Sequence, residues 1–117
     1  MLKRKMEDKI RHFFETQNKA LLITGARQTG KTFVIRQYAQ TAGKNLVELN
    51  FLENENARKL FEGAANSRDI LLRISALTDV PLEKGKTIIF FDEVQECPEI
   101  VTAVKFLVEE GSYQYLL

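Results

Sequence analysis

The chain holds one cysteine, Cys97, so no disulfide can form within it, and it suits a reducing compartment. It holds one histidine, His12, with no second ligand-type residue at zinc spacing, so neither a metal nor a catalytic role is expected of it. Charge of neither sign prevails: 17 Lys and Arg stand against 16 Asp and Glu. A net charge of +1 provides no overall field to attract nucleic acid or an anionic membrane. Apolar runs are only a few residues long, against the roughly 20 that a membrane span requires. Lys3, Arg4 and Lys5 could open a secretory leader, but Glu7, Asp8 and Lys9 stand where its apolar region should follow. The sequence therefore reads as cytoplasmic and without a membrane. Internal repeats and low-complexity segments are also lacking.

What is there describes an ordinary globular domain. A chain of 117 residues with 44% hydrophobic and 28% charged residues has room for one domain and one core.

The most informative stretch is Gly25, Ala26, Arg27, Gln28, Thr29, Gly30, Lys31, Thr32, which fits the phosphate-loop pattern of Gly, any four residues, then Gly-Lys-Ser/Thr. Four residues between two glycines let the backbone curl so that successive N–H groups point inward at a polyphosphate. Lys31 adds a point charge for the β- and γ-phosphates, and Thr32 offers a hydroxyl to Mg²⁺. The helix opening at Lys31, with Phe33 in its first turn, aims its positive dipole end at the anion. Context agrees with this reading. Residues 20–24 form a short apolar strand, and Val34, Ile35, Tyr38, Ala39 and Ala42 recur at helical spacing.

The second informative stretch is residues 87–91, an apolar run of strand length closed by Asp92 and Glu93. A strand without alternation is covered on both faces, as in parallel sheets packed between helices. Carboxylates at its carboxyl end stand where such sheets keep their active sites. Asp92 is the candidate Mg²⁺ holder, and Glu93 the candidate base that orients or deprotonates an attacking water. Gln95 could sense the γ-phosphate or hydrogen-bond the base. Cys97 has no neighbour to activate it.

The remaining elements follow from periodicity and caps. Met6, Ile10, Phe13 and Phe14 predict an N-terminal helix over residues 3–16. Gly43 is expected to cap the phosphate-loop helix, and residues 45–49 to form a strand. Ala57, Leu60, Phe61 and Ala64 mark one helix; Ile70, Leu71, Ile74 and Leu77 mark another that opens near Ser67. Pro98 opens a helix on which Val101, Val104 and Val108 line a face, and Gly111 stops it. Residues 113–117 begin a further strand.

With both phosphate-site stretches in place, the chain resembles the P-loop ATPases whose catalytic glutamate directly follows the Walker B aspartate. More narrowly, residues 22–32, Asn50 with Phe51, and Phe91-Asp-Glu-Val-Gln95 look like a prokaryotic AAA-type family of ATP-binding proteins with a C-terminal domain of unknown function. The resemblance covers nearly the whole chain. It implies a three-layer α/β/α P-loop fold with a mainly parallel sheet, an N-terminal helix within residues 1–18 and a nucleotide-binding part over residues 20–117. It implies ATP and Mg²⁺ as ligands, with phosphate contacts from Gly25 through Phe33, metal contacts from Thr32 and Asp92, and catalysis by Lys31 and Glu93.

Family members are longer. After the strand matching residues 113–117 they continue with a short polar sensor segment, so this chain looks like an N-terminal fragment, its fold incomplete at the C-terminus. The resemblance places the last strand between the phosphate-loop strand and the Walker B strand, and leaves the phosphate-loop strand as an apolar edge that a second copy could pair with. Any DNA or protein partner would be engaged through the absent C-terminal region. The resemblance implies Mg²⁺-dependent ATP binding and, in the full-length protein, ATP hydrolysis; the 117-residue chain by itself is expected to bind Mg²⁺-ATP weakly and to hydrolyse it hardly at all, far below about one turnover per second. The alternatives are a nucleotide-gated DNA- or protein-interaction module and, with less support, a P-loop kinase. The adjacent Asp92 and Glu93 speak against the kinase, since a water-activating glutamate suits hydrolysis. No Asn-Lys-x-Asp motif is present to favour GTP.

Overall fold

A computed structural model describes residues 8–10, 12, 20–21, 31–64 and 66–117, with the backbone alone for residues 20, 21 and 31. Four strands, β1 (Ala20–Leu21), β2 (Asn45–Asn50), β3 (Thr87–Asp92) and β4 (Gln114–Leu116), pair in parallel in the order β1-β4-β3-β2. Parallel pairing requires each strand to be followed by a crossover, and the helices supply it. Helix α1 (Lys31–Thr41) leads to β2. Helices α2 (Glu55–Leu60) and α3 (Ser67–Leu77) lead to β3, and α4 (Pro98–Glu110) leads to β4. The last strand thus lies between β1 and β3, as expected. Among the described residues β1 pairs with β4 alone.

Side chains alternate across a strand, and the two faces of this sheet are buried in two separate cores. On one face Ile88, Phe90 and Leu116 pack with Val34, Ile35, Tyr38 and Ala39 of α1 and with Ile10, which belongs to a helical segment described at residues 8–10 and 12. On the other, Val47, Leu49, Ile89, Phe91 and Tyr115 meet Ala57, Phe61, Ile70, Ile74, Ile100 and Leu107 of the α2–α4 layer. The architecture is therefore three-layer α/β/α. Of the N-terminal positions, Met6, Phe13 and Phe14 lie outside the described residues.

Helix ends follow the local chemistry. Gly43 (φ +68°) and Gly111 (φ +83°) take the left-handed conformation that stops α1 and α4. Ala42 consequently falls past the end of α1 and is exposed, although its spacing suggested the apolar face. Helix α2 begins earlier than the apolar spacing implied, because Asn54 caps it by accepting from the Ala57 N–H at 3.1 Å. It ends at Leu60, and Arg73 of α3 donates to the carbonyls of Leu60 (2.6 Å) and Glu62 (2.9 Å) just beyond its last turn.

The phase of α4 differs from the expectation. Ile100, Ala103 and Leu107 face the core with Val108 beside them, and Val101 is 49% exposed. This helix is apolar around much of its circumference, so periodicity alone allowed two phases, and packing into the core it shares with α3 and the sheet selects one.

Asn66 caps α3 by accepting from the Asp69 N–H at 2.9 Å. Asn66→Ala is expected to lower stability by about 1 kcal/mol, the usual cost of losing such a cap. Chemical denaturation would show it as a lower midpoint at unchanged slope.

Candidate functional site

Two ties fix the direction of α1 relative to the sheet. Its last turn joins the start of β2, where the Lys44 N–H donates to the Ala39 carbonyl (2.8 Å) and the Asn45 N–H to the Lys86 carbonyl (3.0 Å). Further along, the Arg36 guanidinium grips Glu48 with two bonds, Nε to Oε2 at 2.8 Å and Nη2 to Oε1 at 2.9 Å. The helix thus runs back along the sheet. From Arg36 to Thr32 it advances about 6 Å toward the carboxyl edge. From Glu48 to Asn50 the strand advances about 7 Å in the same direction. The first turn of α1 therefore points toward the carboxyl edge, where Asn50 pairs in register with Asp92.

Alternation completes the placement. Glu48 and Asn50 lie on the α1 face of β2, and Asp92 lies on that face of β3, two residues beyond Phe90. Thr32, in the first turn of α1, and Asp92, at the carboxyl end of β3, are both half-buried. Lys31 opens α1 by its backbone. Phe33 is 56% exposed. Gly25, Ala26, Arg27, Gln28, Thr29 and Gly30 lie outside the described residues.

Asp92 is held by its surroundings. Its Oδ1 accepts from the Glu93 N–H at 3.0 Å, and its Oδ2 lies 3.4 Å from the Asn50 Nδ2 donor. The Oδ1 of Asn50 accepts from the N–H groups of Leu52 and Glu53, both at 3.0 Å, so one amide closes the turn after β2 and reaches Asp92. Asn50 entered the sequence reading only as part of a weak resemblance. Its strand-end position before a polar stretch was the available signal, but its pairing with Asp92 depends on a register that no local pattern reveals.

Glu93 departs from ordinary backbone geometry. Its φ of +53° and ψ of +45° are left-handed, a conformation that costs a non-glycine residue on the order of 1 kcal/mol or more and concentrates at functional sites. The chain swings off the strand there into a 3₁₀ turn (Val94–Glu96), and Gln95 Nε2 donates to Glu93 Oε1 at 2.8 Å. Beneath the edge, Phe51 stacks on Phe91 (centroids 6.0 Å apart), Phe91 on Tyr115 (6.0 Å), and Phe61 meets Phe51 edge-on (5.9 Å). These rings bury the opposite face and make the platform under Asp92 stiff. Cys97 is buried, and burial pushes its thiol up, away from the reactive thiolate.

The family model described as an AAA domain matches residues 17–117. The chain belongs to the AAA domain family. As an AAA domain it carries a nucleotide-binding core of the ATPase type, and ATP is its ligand. No curated protein and no solved structure matches the chain. No helix of this AAA domain, among the described residues, is long and apolar enough to cross a membrane.

Proposed function

We propose that this AAA domain binds Mg²⁺-ATP at the carboxyl edge of its sheet and that the same site hydrolyses it, only slowly in the 117-residue chain by itself. The observation that carries this reading is Asp92 at the carboxyl end of β3 on the α1 face, held by Asn50, with Glu93 following at once in a left-handed turn; the first turn of α1, which carries Thr32, is the proposed partner. Phosphates are cradled by the backbone from Gly25 to Gly30, with Lys31 supplying charge and Phe33 flanking the site.

The donor set fits Mg²⁺. Among the described residues no three His, Cys, Asp or Glu side chains gather into a cage. None is needed, since Mg²⁺ takes one or two protein oxygens and completes its shell with water and phosphate. Thr32 and Asp92 would hold it, and when bound it neutralises charge on the β- and γ-phosphate oxygens. Glu93 orients the attacking water and accepts its proton. Asn50 restrains Asp92 and so keeps the carboxylate aimed over the edge.

The test is the Mg²⁺ dependence of ATP binding. Asp92→Asn is expected to raise the Mg²⁺ concentration for half-maximal enhancement by about tenfold, the effect of losing a charge-assisted contact of about 1.5 kcal/mol. Calorimetric titrations at stepped Mg²⁺ would show it. An identical Mg²⁺ response in wild type and variant would remove Asp92 from the metal's surroundings.

A further inference from the structure

We propose that Gln95 is a positioning residue for the base, holding the Glu93 carboxylate in the orientation from which it takes the proton of the attacking water. The inference rests on Glu93 being that base. Gln95 is exposed and contributes nothing to either core, yet its amide donates to Glu93 Oε1 at 2.8 Å across a 3₁₀ turn.

A glutamate carboxylate swings on three side-chain torsions, the last of them broad and nearly two-fold, so the backbone alone leaves its plane undefined. A donor within the same tight turn defines that plane. An amide does so without the second charge that would neutralise a base. The turn is itself well anchored. The Glu96 N–H donates to the Glu93 carbonyl at 3.0 Å, the Cys97 N–H to the Val94 carbonyl at 2.9 Å, and the Glu96 carboxylate meets Arg58 of α2 at 3.5 Å. The left-handed backbone at Glu93 serves the same end, because it brings the residue two positions later back over the glutamate side chain.

Single-turnover hydrolysis with protein in excess, alongside equilibrium ATP binding, tests this on the whole chain. Gln95→Met keeps the length and loses the donor. The expected result is a hydrolytic rate lowered by about tenfold, a part of the 10²–10⁴ that a general base supplies. ATP affinity should stay within about twofold of wild type, since the ground-state phosphate contacts are untouched. Gln95→Asn, which keeps a neutral amide donor, should recover part of the rate. An unchanged rate in Gln95→Met beside a large loss in Glu93→Gln would overturn the positioning role and leave the base in place. Equal losses of rate and affinity in Gln95→Met and Gln95→Asn, with lowered melting temperatures, would also overturn it by showing a structural role. Wild-type hydrolysis by Glu93→Gln would remove the base and this inference with it.

Discussion

Glu93→Gln should leave ATP bound and stop its hydrolysis, lowering the rate by roughly 10²–10⁴-fold, the range for a lost general base. The substitution preserves size, so the left-handed backbone at position 93 is no worse accommodated, and the new amide's carbonyl can still accept the bond from Gln95. What is lost is the capacity to take a proton. Because the ground-state contacts to phosphate come from other residues, affinity for ATP should be unchanged or slightly higher. Single-turnover phosphate release measured beside equilibrium binding separates the two quantities. A wild-type rate would send the search for the base elsewhere. Glu96 is the next carboxylate along the chain, but it already faces Arg58 at 3.5 Å.

Lys31→Ala should weaken ATP binding by about ten- to a hundredfold or more, because it deletes the side-chain cation proposed to meet the β- and γ-phosphates, where such contacts are worth roughly 1.5–3 kcal/mol. The fold should tolerate the change. Lys31 opens α1, alanine is the best helix former, and the core contacts of α1 begin at Val34. A fluorescent ATP analogue titrated against both proteins, with matched thermal melts, would distinguish lost affinity from lost structure. Equal affinities would exclude the loop before α1 as the phosphate site.

Much of the fold was legible because parallel α/β architecture writes itself locally. An apolar run of five residues ending in two carboxylates had to be a strand covered on both faces, and Ile88, Ile89, Phe90 and Phe91 are all buried. Gly43 and Gly111 marked helix ends by a conformation that other residues resist. Boundaries set by side-chain caps were less legible. Asn54 could have been read as one more polar residue of a loop, and only its bond to the Ala57 N–H makes it the start of α2. The phase of α4 failed for another reason: with Val101 and Phe106 exposed on one side and Ile100, Leu107 and Val108 against the core on the other, the choice between faces belongs to the surrounding layer.

By itself the sequence determined the residue types of a phosphate site and their spacing, since a glycine-bounded loop, a lysine, a hydroxyl and a strand-end carboxylate pair are local patterns. It also determined that the strands are parallel, through the crossover helices between them. Only the tertiary structure decided that Asn50 and Asp92 meet in register on the α1 face and that Arg36 of α1 grips Glu48 on that face. It also decided that Asn50 reaches Asp92 and that Gln95 reaches Glu93. The first of these joins residues 42 positions apart, and the second requires a left-handed turn at a non-glycine residue. Strand register and strained turns are stabilised by contacts distributed over the whole domain, so no single stretch of chain encodes them.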